Sequence, residues 1–373
     1  MRYVLLIGPL PPPNGGVATW VQTLFDQGLP AGWHLDLIDT RVARHHWADW
    51  SVRDVIPELR RSLRIVRELR SYVCEHHRVD LAHLCCSLGV TGGIRDLIQS
   101  SYLRRAGIPY VIHLHGGFEH AIPTGVRGRL YRWTYRPLLK NASMVFVLSE
   151  RSGEAVSRFL GTHDGLHVLP NFIDFSDIPP AQRTEEEGES EDCITDSIVV
   201  TYVGSVRQEK GINTILSVAR EMPDVVFNII GEIQLSLRSH LVSSNQIGHN
   251  VELWGDRSRE EVMERLSRSD VFFFPTTHRE GFPMAVAEAM AAGLPVVASS
   301  AGALTEMIDE PEGGFIRSAN DISGYVEVLR CLQSSSSRRK SLGQYNRLKA
   351  AELYGVDKVI ERMCKLYDDT LNS

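Results

Sequence analysis

Glu280 and Glu288 stand eight residues apart in EGFPMAVAEAMAAG, the first in a loop-like stretch, the second inside an alanine-rich helical pattern. Pro283 suits a first helical turn, where its missing N–H costs nothing, and Met284 and Ala285 then offer free N–H groups to a phosphate. One carboxylate can accept hydrogen bonds from hydroxyls of one sugar ring, the other from hydroxyls of a second. Upstream, VGSVRQEKGINTIL carries Arg207 and Lys210 just before an amphipathic helix that Gly211 helps to open. Cations at that end oppose the helix dipole, and a diphosphate between them would resolve the conflict. A solvated surface pair explains these two charges equally well. In GPLPPPNGGVATW, Gly15 and Gly16 let the backbone approach a ligand at a helix start, although a tight turn after a strand reads the same way. The spacing is not GxGxxG, so a nicotinamide dinucleotide is not supported. In HLHGG, His115 precedes two glycines at the carboxyl end of a strand, where a side chain can face a cleft; His113 reads as a packed core residue. Two carboxylates, two sugars and a diphosphate between them describe a nucleotide sugar.

The elements that must hold these residues alternate in type. In the first half YVLLIG, HLDLID, DLAHLC, PYVIHLHG, SMVFVLS and LHVLPN read as strands; SIVVTYVG, DVVFNIIG, VELWG, DVFFFPT and LPVVAS do so in the second. Amphipathic stretches such as RDVIPELRRSLRIVRELRSYV, INTILSVAREM and REEVMERLSRS separate them. Strands this apolar, each followed by a helix, indicate buried parallel sheets, and 373 residues suffice for two doubly wound domains. Ligands in such folds sit beyond the carboxyl ends of the strands, so a cleft between the domains is the expected site. The acidic run RTEEEGESEDC, residues 183–193, reads as a solvated linker near mid-chain. Through residue 170 there are 20 Lys and Arg against 14 Asp and Glu; beyond it there are 20 against 32. No run of eighteen apolar residues suggests a membrane span, and the N-terminal apolar run reads as a first strand of an unexported protein. Six cysteines without a CxxC pair fit free thiols in a reducing cytoplasm.

Taken in order, these segments resemble the retaining GT-B glycosyltransferases of family four, the glycosyl transferases group 1, of the bacterial polysaccharide type. PPPNGG is similar to the family's N-terminal glycine loop, HLHGG to its cleft histidine, VGSVRQEKG to its phosphate-binding loop, and EGFPMAVAEAMAAGLPVVAS to its E-x7-E segment. VLPNFID resembles the approach to the interdomain linker, and SAGALTEMI and EGGFI the segments that follow. The resemblance covers nearly the whole chain. It implies two Rossmann-like domains facing a central cleft: an acceptor-binding domain over 1–171, a linker over 172–196, a nucleotide-sugar domain over 197–355, and a last helix, 356–373, crossing back to the first domain. It implies that Glu280 contacts donor-sugar hydroxyls, Glu288 the ribose, Arg207 and Lys210 the diphosphate, and His115 the reacting sugar. Gly15 and Gly16, with Gly281, Phe282, Pro283, Met284 and Ala285, would bind the donor. Two positions depart from the pattern: Ser205 stands where many members have Arg, and Pro283 where many have Gly, which removes one backbone donor.

The implied reaction is transfer from a UDP- or GDP-sugar to a glycan or lipid-linked acceptor with retention of anomeric configuration, no nucleic acid taking part. Arg207 and Lys210 would stabilise the leaving diphosphate without a metal or other cofactor. A sugar-nucleotide epimerase of the same fold and an inactive nucleotide-sugar-binding protein are the competing readings. Two basic stretches add a partner. Residues 53–78 hold seven arginines interleaved with leucine, isoleucine and valine, and RGRLYRWTYRPLLK at 127–140 holds four arginines, one lysine and three aromatics. Solvated helix faces are one explanation; peripheral docking on the anionic cytoplasmic face of a membrane is the other.

Overall fold

The computed structural model of the chain describes residues 1–12, 15–41, 55–75, 78–86, 88–118, 122, 124–161, 164–180, 197–235, 237 and 247–372. The acidic run 183–193, Arg53, and Pro13 and Asn14 of the glycine loop lie outside the described residues. The chain divides into two compact units, Met1–Phe172 with the stretch from Asp357 onward, and Ile173–Val356. Residues 173–180, read from the sequence as linker, belong to the second unit: the Ile173 N–H donates to the Tyr354 carbonyl at 2.7 Å.

The first unit runs β1 (Arg2–Gly8), α1 (Gly16–Gln27), β2 (Trp33–Asp39), α2 (Val55–Glu75), β3 (Leu81–Cys86), α3 (Val90–Arg105), β4 (Tyr110–Leu114), α4 (Gly125–Lys140), β5 (Met144–Val147), α5 (Glu150–Leu160) and β6 (Leu166–Val168). Among the described residues the strands form one parallel sheet in the order β2-β1-β3-β4-β5-β6. LAHLCC and MVFV are buried at every position, as strands covered on both faces must be. Right-handed crossovers that step from β2 to β3 and on to β6 put α2, α3, α4 and α5 on one face, side by side. The core beneath them joins Ile65 and Leu69 of α2, Leu103 of α3, Tyr131, Tyr135 and Leu138 of α4 and Val156 of α5 to Leu5, Leu84, Ile112 and Val145 of the strands. Within the basic 53–78 pattern the described helix is α2, and Arg78 lies beyond it.

The second unit runs β7 (Val199–Val203), α6 (Ile212–Glu221), β8 (Val226–Ile230), β9 (Val251–Gly255), α7 (Arg259–Ser267), β10 (Val271–Phe274), α8 (Met284–Ala292), β11 (Val296–Ser299), α9 (Leu304–Met307), β12 (Gly314–Arg317), α10 (Ile322–Gln333) and α11 (Ser336–Tyr354). Its described strands are also parallel, in the order β12-β11-β10-β7-β8-β9. Strand order reverses between β7 and β10, which makes the loops after these two strands the walls of a switch-point crevice. The serine run at 334–337, read as a polar turn, joins two helices: Ser335 caps α11 by accepting from the Arg338 N–H at 3.2 Å.

The last helix, α12 (Val356–Asn372), has a strong apolar face, and from Asp357 onward it belongs to the first unit. Buried Tyr367 packs on Trp33 and Phe146, and its hydroxyl is hydrogen-bonded to Nδ1 of His83 in β3. Among the described residues no helix is long and apolar enough to cross a membrane.

Candidate functional site

The loop after β7 is pinned before it reaches the site. The Val206 N–H donates to the Glu232 carbonyl at 2.8 Å, and Gln208–Lys210 make one 3-10 turn. Gly211 then caps α6 at φ 86°, where a Cβ would sit 2.2 Å from the Pro275 carbonyl oxygen, so only glycine allows this approach to the end of β10. The Glu209 carbonyl completes the clamp by accepting from the N–H groups of Thr277 and His278, both at 2.9 Å, and from the Thr276 hydroxyl at 3.1 Å. The two loops are thereby held as one piece.

This clamp brings Lys210 and Glu280 together, 70 positions apart in the chain: Nζ donates to Oε1 in a half-buried ion pair. The backbone of Glu280 is held from the other side. Its carbonyl accepts from the Ala303 N–H at 2.9 Å, and Gly302, at φ 61°, leaves no room for a Cβ against it. The Glu280 carboxylate thus lies against the Lys210 ammonium beside the start of α6. Arg207 is half-buried, its guanidinium 3.9 Å from the Glu209 carboxylate, and its carbonyl accepts from the Lys210 N–H at 3.2 Å.

Helix α8 starts where EGFP ends. Pro283 is its N-cap, one position earlier than the first turn, with no side-chain cap. The amides of Met284 and Ala285 thus start a helix and have no carbonyl one turn before them. Gly281 is half-buried, and Phe282 turns inward, edge-on to Tyr354 at 5.1 Å, so what it can present to a ligand is backbone. Glu288 is buried on the second turn, paired with Arg259 at 2.6 Å. Burial raises its carboxyl above the usual range, and the Arg259 guanidinium opposes that rise. Arg259 did not stand out in the sequence. Its signal was SREE, a capping box in which Ser258 and Glu261 fix the start of α7 and set Arg259 at the first helical position.

In the first unit Gly15 is the extended N-cap of α1, Gly16 its first residue, and both are exposed. Apart from its chain neighbours, no described residue comes within 4 Å of a Cβ placed on Gly15, which leaves room for an incoming group. His115 follows β4 and packs against His113 (3.8 Å between ring centroids) and Trp20 (4.7 Å). Its Nδ1 lies 3.1 Å from Oδ1 of Asn171. Desolvation pushes its imidazole down to about 4, and His83 falls to about 3 for the same reason. His113 is fully buried, the packed core residue that its place in the strand suggested. Trp20 and Asn171, which hold the candidate residue His115, were passed over by sequence reasoning.

Two parallel, doubly wound units with these loops at the ends of their strands define the class: a glycosyltransferase of the GT-B fold. A model of the glycosyl transferases group 1 matches residues 184–349 and a glycosyl transferase 4-like domain model matches 15–171. The chain belongs to the group 1 glycosyltransferases. It is 25% identical over 350 residues to the Escherichia coli UDP-Gal:alpha-D-GlcNAc-diphosphoundecaprenol alpha-1,3-galactosyltransferase, covering 85% of this chain and 87% of that one. Sucrose-phosphate synthase from Thermosynechococcus elongatus superposes with a TM-score of 0.77 at 18% identity, with both chains fully covered. Anabaena HepE, solved in complex with UDP and glucose, superposes at 0.71 with 16% identity over 99% of this chain and 100% of that one.

Proposed function

We propose that the protein moves a sugar from a UDP- or GDP-sugar to a glycan or lipid-linked acceptor in polysaccharide assembly, with retention and without a metal or other cofactor. The observation that carries this is the Lys210–Glu280 pair, held by two clamped loops beside the open N-terminus of α8. A diphosphate would take Lys210, Arg207 and the Met284 and Ala285 amides, and the freed Glu280 would accept from hydroxyls of the transferred sugar. Glu288, steadied by Arg259, would accept from the ribose; Gly15 and Gly16 would lie against the phosphates, and His115 beside the reacting sugar. The bond from the anomeric carbon to the diphosphate oxygen breaks, the acceptor oxygen bonds to that carbon on the same face, and the acceptor proton passes to the departing phosphate oxygen. Lys210 and Arg207 stabilise the charge that develops there, usually the largest catalytic effect. The E. coli relative's name, with its UDP-galactose donor and diphosphoundecaprenol acceptor, and the UDP and glucose held by Anabaena HepE support this substrate class.

The acceptor side implies a surface, and α2 and α4 supply one on the same face of the first unit. Val126, Leu130 and Trp133 form an exposed stripe on α4 among Arg127, Arg129, Arg132, Arg136 and Lys140, with no acidic residue on that helix. Ile56, Leu59 and Leu63 are exposed on α2 beside Arg60, Arg64 and Arg67. An anionic lipid surface on the cytoplasmic side satisfies both groups. The free thiols of Cys74, Cys85, Cys86, Cys331 and Cys364 fit that reducing compartment.

A panel of UDP- and GDP-sugars, offered with a polyprenyl-diphosphate glycan and with EDTA, tests the whole reading. Transfer product with the donor's anomeric configuration is the expected result. Epimerised donor would favour the epimerase, and binding with neither product nor hydrolysis would favour the inactive protein.

A further inference from the structure

The loop after β1, GPLPPPNGG, leads to Gly15 and Gly16 and offers few groups by which it can be held. Proline has no N–H, so over residues 9–13 Leu10 carries the only backbone donor. That donor is taken: Oδ1 of Asp39, at the end of β2, accepts the Leu10 N–H at 3.0 Å. One residue on, the Pro11 carbonyl accepts from Nη1 of Arg41 at 2.8 Å. Asp39 and Arg41 are themselves joined, Nε of the guanidinium donating to Oδ2 and the Arg41 N–H to Oδ1 at 2.8 Å. From behind, α2 holds the same stretch: Arg64 and Arg61 donate to the carbonyls of Asp39 and Thr40, at 3.3 and 2.9 Å. The Thr40 N–H donates to the Gly8 carbonyl at 2.9 Å, where the loop begins.

An aspartate that accepts the N–H two residues on makes an ordinary turn, and the end of a strand needs no more than that. Such a turn does not call for the Leu10 N–H, nor for a guanidinium on the Pro11 carbonyl. Those two contacts commit the side chains after β2 to the neighbouring loop. Pro11 and Pro12 fix their own φ, so a hold at Leu10 and Pro11 is carried onward towards Gly15. We propose that Asp39 and Arg41 are positioning residues: together they strap the proline-rich loop by its one N–H and its Pro11 carbonyl, and so fix where the backbone of Gly15 and Gly16 meets the diphosphate of a donor. This rests on the reading of those two glycines proposed above. Neither side chain needs to touch the donor; each acts through the loop.

Amide hydrogen exchange, read residue by residue on the native protein, tests the strap and needs no activity. The Leu10 amide should be protected. Asp39→Ala should expose it, while the Thr40 amide, bonded to Gly8, stays protected and marks an intact sheet end. A Leu10 amide that exchanges freely in native protein, or stays protected in Asp39→Ala, overturns the proposal. Kinetics supply the second arm. Asp39→Ala should lower kcat/KM for the donor about ten- to a hundred-fold, the usual consequence of misplacing a contact by about an ångström. The acceptor KM should not move, and the melting temperature should change little. Asp39→Asn keeps an oxygen for the Leu10 N–H and should regain protection and rate together, and Arg41→Met, which frees the Pro11 carbonyl, should show part of the alanine loss. Native kcat/KM in Asp39→Ala or Arg41→Met, or Asp39→Asn with protection restored but not rate, would mean that the strap supports only the fold. If native protein transfers no sugar, the glycosyltransferase reading fails, while exchange still decides whether Asp39 holds the loop.

Discussion

Lys210 and Glu280 form an ion pair, so in the proposed reaction a donor exchanges one charge-assisted contact for several. Glu280→Ala should cut transfer by at least one to two decades, since losing a hydrogen bond to a charged group costs roughly 1.5–3 kcal/mol. Lys210→Ala should lower turnover more than donor affinity, because its charge counts most as the diphosphate leaves. Steady-state kinetics of both variants check this, and native rates would return the pair to ordinary surface charge. Glu288 invites a test by pH. Its carboxyl is raised by burial and held down by Arg259, and only the ionised form accepts hydrogen bonds from two ribose hydroxyls at once. Nucleotide binding should weaken as pH falls through that carboxyl's pKa. In Arg259→Ala the pKa rises further, so the weakening should begin at a higher pH, and nucleotide calorimetry across a pH series would show the displaced curve. Identical curves for native and variant would mean that Arg259 does not govern Glu288.

At the scale of elements, α4 makes the sharpest prediction. Burying Tyr131, Tyr135, Leu138 and Leu139 in the core leaves Val126, Leu130 and Trp133 exposed between five cations. Each basic residue near an anionic surface contributes on the order of 1 kcal/mol, so several together support reversible binding that salt weakens. The protein should sediment with anionic vesicles at low salt and not with neutral ones. Trp133→Ser with Arg132→Glu should release it without altering transfer to a soluble acceptor. Equal recovery with both vesicle types would leave α2 and α4 as solvated faces. Crossover handedness puts both basic helices on one side of one sheet.

At the scale of the whole molecule, the chain returns to its start. The C-terminal helix lays Tyr367 over β3 and pairs Arg2 with Asp368, so the first unit is built from both ends of the sequence. It encloses His83 and His113 as neutral groups, with His115 beside them. Their pKa values fall in the fold, to about 3 for His83 and about 4 for His115, from an ordinary value of about 6.5. The unfolded chain thus binds more protons below pH 6.5, and the stability these groups contribute is full above that value and lost as pH falls towards 4. The slope approaches about 1.4 kcal/mol per pH unit for each histidine that stays neutral. Urea unfolding of the first unit, followed by Trp20 fluorescence, should show a lower midpoint at pH 5 than at pH 7.5. A midpoint indifferent to pH over that range would show these imidazoles to be solvated.

Strand runs such as VFFF and MVFV, helices such as REEVMERLS and the order of the loops were legible in the sequence, because apolar runs and side-chain periodicity are local properties. Glu280, Glu288, Arg207, Lys210 and His115 could be picked out by type and spacing for the same reason. Their partners could not. Lys210 meets Glu280 across 70 positions, Arg259 meets Glu288 across 29, and His115 meets Asn171 across 56. Such pairs arise where loops from different strands converge at the carboxyl edge of a sheet, and strand order is set by the packing of whole elements. The sequence by itself determined which residues could do chemistry; the tertiary structure decided which partner each one meets.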